Sequence, residues 1–140
     1  MPIPLGPETA LVDALIVALK ADADVAALVG ARVFDDVPLR SPPPYLYVGP
    51  VAAVRLEGGC SNLIAVTVRI FAVSVDSGRA EAWAVLDAAR AALNGQILTG
   101  PRFPSDLRMV EEVRVIRTGD ILSPITPKAV FLDVTATLSF

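Results

Sequence analysis

The stretch from Tyr45 to Gly95 limits the possible folds more than any other part of this chain. Two β-patterned segments meet at Gly58-Gly59, and an alanine-rich helix follows at once. Tyr45 to Glu57 alternates loosely and contains Pro50, which cannot donate to a ladder; this predicts an edge strand or a bulge near Gly49-Pro50. Asn62 to Val75 alternates more cleanly, with Ile64, Val66, Val68 and Ile70 on one face and Thr67, Arg69, Phe71 and Val73 on the other. At roughly 3.3 Å per residue each segment reaches about 40 Å, about twice a common strand. A hairpin that long is expected to project beyond its own core.

The flanking segments supply the rest of a domain. In the alanine-rich helix, Asp76 or Ser77 is the expected cap and Glu81 lies in the first turn; Ala82, Val85, Leu86, Ala89 and Leu93 form the apolar stripe, and Gly95 is the stop. Upstream, Pro7 suits a first helical position, and Leu11, Leu15, Ala18 and Leu19 recur at helical spacing, predicting a helix from Pro7 to Lys20. Asp22 can cap a second short helix through Val25 and Leu28 that Gly30 ends. Arg32-Val33-Phe34 is a short strand candidate, and Pro42-Pro43-Pro44 reads as a polyproline connection.

Downstream, Leu107 to Arg117 reads as a third long strand, with Thr118-Gly119-Asp120 turning out of it and Ile121 to Pro127 as an extended loop. In the last segment Val130, Leu132, Val134, Ala136 and Leu138 point inward, while Asp133, Thr135, Thr137 and Ser139 point outward. The expected order is α-α-β-β-β-α-β-β in one domain over residues 1–140. That is an α+β fold: a mainly antiparallel β-sheet with a long projecting hairpin, one long helix packed on one face and an N-terminal helix.

Reactive chemistry is sparse. There is no histidine, which removes the commonest general base and metal ligand. Cys60 is the one cysteine, so neither a disulfide framework nor a thiolate cluster can form within the chain. It sits at the expected hairpin tip with Arg55 as the one cation near it in sequence, a poor setting for a nucleophile. Gly58-Gly59 precedes a strand rather than a helix, the wrong context for a phosphate loop. Asp35-Asp36 could touch a divalent ion, but no loop with calcium-ligand spacing follows. Neighbours on a strand point to opposite faces, so Glu111 and Glu112 are not expected to form a dyad, and Glu112 is expected to share a face with Arg114. No enzyme, cofactor or metal site is expected.

Apolar residues make up 54% of the chain without any membrane-length apolar run, which suggests surface buried against partner chains. Met1-Pro2-Ile3-Pro4 lacks the pattern of an export signal. A net charge of −3 speaks against autonomous nucleic-acid binding.

Four segments, in this order, resemble the tail-completion or tail-terminator family of long-tailed bacteriophages and gene transfer agents. They are the N-terminal helix running through Leu19–Gly30 into Arg32–Pro38; Pro43-Pro44-Tyr45-Leu46-Tyr47-Val48-Gly49; the Glu57-Gly58-Gly59 turn with Val66–Ala72; and the helix from Glu81 to Gly95. The resemblance implies a structural virion protein, assembled in the bacterial cytoplasm, that caps the tail tube as a homohexameric ring. Such a ring joins the tail to a head-side connector, with DNA passing through its lumen as cargo. The expected partners are therefore other copies, the tail tube protein and a connector or stopper protein, with no membrane and no sequence-specific DNA contact. On this reading Arg55, Leu56, Glu57, Cys60, Asn62 and Trp83 are subunit-interface candidates, and Glu111, Glu112 and Asp120 are candidates to line the lumen. The alternatives are another neck protein, either stopper or adaptor, and a small ligand-binding or regulatory domain using the Tyr45/Tyr47 face.

Overall fold

The computed structural model describes residues 6–38, 40–56, 62–75, 79–99, 103–121 and 128–139. Helix α1 (Pro7–Ala21) starts with Pro7 in its first turn, behind Gly6, and carries Glu8 at its positive end. Asp22 closes α1 and caps α2 (Ala23–Val29): its carboxylate accepts from the Asp24 and Val25 backbone N–H groups at 3.0 and 3.1 Å. Gly30 ends α2 at φ 61°, a conformation that favours glycine. Strand β1 (Val33–Phe34) pairs in parallel with the start of β2 (Tyr45–Leu56), and Arg32 Nε donates to the Pro44 carbonyl at 2.9 Å. The Pro43–Pro44 peptide is cis.

Strand β2 pairs antiparallel with β3 (Leu63–Ser74), and the register shifts between Val48 and Val51, where Gly49-Pro50 predicted a bulge. Helix α3 (Ala80–Leu93) follows, buries the predicted stripe and ends before Gly95 at φ 81°. Asp76 and Ser77 lie outside the described residues. Arg79 occupies the N-cap without a side-chain capping bond, and the Ser74 hydroxyl donates to Glu81 Oε1 at 2.7 Å. Strands β4 (Arg108–Ile121) and β5 (Lys128–Ser139) complete a sheet of order β1-β2-β3-β5-β4, antiparallel apart from the β1–β2 pair.

Central in this order is β5, the last strand in sequence. It pairs with β3 from Leu63↔Ser139 to Ser74↔Lys128 without a register shift, and with β4 on its other side. The hairpin is as long as its sequence suggests, but β5 accompanies β3 to its end. The part that stands clear is therefore the outer strand, where β2 is exposed from Pro50 onward. All three helices lie on one face. Leu11, Leu15 and Leu19 of α1 and Leu86 and Leu93 of α3 close over Val66, Val68, Ile70, Leu132, Val134 and Leu138, all at 0% exposure.

Among the described residues the opposite face carries no helix, yet Phe71, Phe131, Asp133 and Thr137 are buried there. A layer of side chains lying flat on the sheet replaces a second layer. Phe71 covers Gly49 and stacks on Tyr47, with centroids 4.7 Å apart and planes 14° apart. Phe131 covers Gly119, the residue paired with it across β4–β5. Arg69 lies 4.0 Å above the Phe131 ring while its Nε and a terminal nitrogen hold both Asp133 oxygens, at 2.8 and 3.1 Å. Phe34 and Tyr45 extend the aromatic row towards β1.

This layer corrects two expectations. Thr118-Gly119-Asp120 does not turn out of the strand; β4 continues to Ile121, because Gly119 provides space for the Phe131 ring within the ladder. The outward positions Asp133 and Thr137 are not solvated, because a central strand has neighbours on both sides.

A Cβ at position 119 would lie 2.6 Å from Phe131 Cζ. Gly119→Val is expected to cost about 1–3 kcal/mol through overpacking, read as a lower urea midpoint at unchanged slope. Adding Phe131→Leu is expected to restore part of it. Asp133→Ala should also lower the midpoint, because the Arg69 guanidinium would lose its bidentate partner. The pair Arg69→Met/Asp133→Leu should recover most of that loss, which separates a need for the charges from a need for their pairing.

Candidate assembly surfaces

The two edges of the sheet present different surfaces. Along β2, pairing with β1 covers Leu46 and Tyr47 alone, so from Val48 outward the strand has a described strand partner on one side only. Six consecutive residues, Val51 to Leu56, pair regularly with β3, and half of an extended strand's N–H and C=O groups face away from such a partner. Val54 is 64% exposed here, and Val51 and Leu56 are each 38% exposed. A regular, apolar, unpaired edge of this length is a template for another chain.

Along β4 the edge is guarded. The register shifts between Met109 and Glu111, between Glu111 and Arg114, and between Val115 and Arg117. The chain leaving α3 folds back onto it: Gly95 N–H donates to the Val113 carbonyl at 2.7 Å, and Val113 N–H donates to Gln96 at 2.8 Å. Asn94 Oδ1 accepts from the Val115 N–H at 3.1 Å. Bulges and a covering segment are the usual means of keeping an edge from pairing with another strand.

The interface candidates named from sequence fall into two places. Arg55 and Leu56 end β2, and an Arg55 terminal nitrogen donates to Asn62 Oδ1 at 3.0 Å across the hairpin. Glu57 and Cys60 lie outside the described residues. Trp83 is elsewhere, half-buried on α3 against the core.

The acidic candidates are also divided. Glu111 is exposed on the helix-free face, where it accepts from the Thr137 hydroxyl at 3.3 Å and lies 3.8 Å from Arg114. Arg114 thus shares a face with Glu111 and not, as expected, with Glu112, because the bulge inserts an extra residue between them. Glu112 is exposed and lines an open cleft with Ile97, Glu111 and Arg114. Asp120 is opposite Val130 on the helix-bearing face, in an ion pair with Arg79 at 2.6 Å.

Sequence reasoning missed two further clefts. One, beside α3 and β4, is lined by Arg90, Asn94, Val115, Ile116, Arg117 and Thr118. The other, beside the start of α1, is lined by Glu8, Thr9, Val12, Asp35 and Val51. Their residues are far apart in sequence, and no motif links them. Tyr47 is packed within the aromatic row, where burial first and then the neighbouring Tyr45 raise its hydroxyl pKa above the usual tyrosine value. Among the described residues no group of three His, Cys, Asp or Glu side chains is placed to hold a metal.

No curated protein matches this chain. Among solved structures, a subunit in the virion of a native gene transfer agent particle is similar over 94% of this chain and 96% of its own, at 26% identity and a TM-score of 0.83. The family model for Tail completion protein gp17 matches residues 13–139, and the chain belongs to that family of tail structural proteins.

Proposed function

We propose that this protein caps the tail tube as a ring, six copies on the family pattern, and joins the tail to the head-side connector with DNA passing through the lumen. Membership of the tail completion family carries this reading, together with the near full-length similarity to a gene transfer agent virion subunit. The edges are consistent with it. One edge is regular and apolar while the other is bulged and covered, so a like-to-like strand pairing is available on one side only. Pairing of β2 with β2 would give a two-fold dimer, so a head-to-tail ring needs β2 to meet a different surface of the next copy. Glu111 and Glu112, exposed on β4, would repel passing phosphates if they face the lumen. Asp120 is a weaker candidate, since Arg79 balances its charge. The hairpin end carrying Arg55, Leu56, Glu57, Cys60 and Asn62 would reach a neighbouring subunit, as would Trp83 through its exposed part.

A stopper or adaptor below the portal is the second reading within the same structure class. Electron microscopy of particles made without this protein separates the two. Capping predicts tails of uncontrolled length, whereas a stopper predicts filled heads that lose their DNA. A ligand-binding domain using the Tyr45/Tyr47 face is disfavoured, because those rings pack on Phe34 and Phe71.

Leu56 lies opposite Leu63, so replacing residues 57–62 with a two-residue turn preserves the register. The shortened protein should fold with an unchanged far-ultraviolet spectrum and fail to cap tails. Normal capping by this variant would remove the hairpin tip from the assembly surface.

A further inference from the structure

The cover on the β4 edge is partial. The chain leaving α3 reaches β4 through Asn94, Gly95 and Gln96, at Val113 and Val115. Beyond the last register shift, Arg117 to Ile121 pair regularly with Asp133 to Ala129 of β5. Among the described residues no backbone bond joins the other side of this stretch. It is short and centred on Gly119, so it pairs weakly with its own kind. Three antiparallel steps separate β2 from β4, so the two strands run in opposite directions. Head-to-tail repetition of the sheet therefore sets β4 of one copy antiparallel to β2 of the next. The uncovered stretches sit at opposite ends of the sheet: Val51–Leu56 is level with Val134–Ser139 of β5, and Arg117–Ile121 with Ala129–Asp133.

We propose that Arg117–Ile121 of one copy adds as a strand to Val51–Leu56 of the next, so that the sheets join into one closed wall. The inference rests on the ring reading and names the edges that build the ring. Unlike edges on opposite sides of one molecule propagate head to tail, and they close when the rotation divides the circle. Bringing the two stretches together slides each copy roughly 18 Å along the strands over four strand spacings, about 19 Å. The resulting slope, roughly 40–45°, matches the about 35–45° strand tilt at which sheets close on themselves. In the register that uses all five β4 residues, Ile121 lies opposite Ala52, Gly119 opposite Val54 and Arg117 opposite Leu56, all on the helix-free face. On the helix-bearing face Arg55 then falls diagonally across from Asp120, a residue of opposite charge within reach of its long side chain.

Disulfide trapping tests this in the full-length protein with Cys60→Ser as background, thermal melts as the control for folding and sedimentation to record assembly. Directly opposed strand residues bring their Cα atoms to about 4.5–5.5 Å, within disulfide reach. On oxidation Ala52→Cys/Ile121→Cys should give a ladder of covalent oligomers that ends at the closed ring. Val54→Cys/Ile121→Cys, two residues along the same face, covers a shifted register. The single variants Ala52→Cys and Ile121→Cys should each give no cross-link alone, and their equimolar mixture should give dimers only. Self-cross-linking of Ala52→Cys alone would show β2 pairing with β2 and overturns the proposal. A closed assembly without cross-links in either pair overturns the edge contact while the ring itself stands. A protein that neither assembles nor cross-links at high concentration also overturns the contact, and tail length in particles lacking the protein then decides capping separately.

Discussion

Phe71 and Phe131 each lie across a glycine on the neighbouring strand, and this closes the face of the sheet that no helix covers. A five-stranded sheet with helices on one side would otherwise wet its other face throughout. Here the rings, the Arg69 guanidinium and the Asp133 carboxylate form a thin second layer, with Tyr47 and Tyr45 extending it to the first strand. The layer lies across β3, β5 and β4, and β5, paired with β3 along its length, keeps the long hairpin from standing alone. What remains exposed is the outer half of β2 and the rims beside α1 and α3.

Much of this was legible in the residues themselves. Pro7, Asp22, Gly30 and Gly95 punctuate the helices where the structure ends or starts them, and Gly49-Pro50 marks the bulge in β2. Local signals of this kind act within a turn or two, so one sequence is enough to read them. The misreadings share a different cause. Gly119 resembles a turn residue until Phe131, twelve positions later, is found lying over it. The register shift that puts Arg114 beside Glu111 depends on β5, and the burial of Asp133 depends on Arg69, which is distant in sequence.

The assembly surfaces were legible only in part. The hairpin end was visible as a long paired pattern, but its free edge exists because β1 is just two residues long and pairs only with Leu46 and Tyr47. The residues lining the clefts beside α3 and α1 carry no sequence signal, since ordinary side chains on a helix or strand look alike until the fold gathers them. Family membership indicates a tail structural role, and the edges suggest how one copy could meet the next.

In the ring we propose, a neighbouring copy completes the uncovered half of β2. Amide hydrogen exchange, followed strand by strand in the free protein and in the assembled protein, tests it most directly. The amides of β2 from Val51 to Leu56 that point away from β3 should exchange quickly in the free chain and become protected on assembly, while the already paired amides of β5 change little. Equal exchange at those β2 positions before and after assembly would show that no neighbouring copy covers this edge.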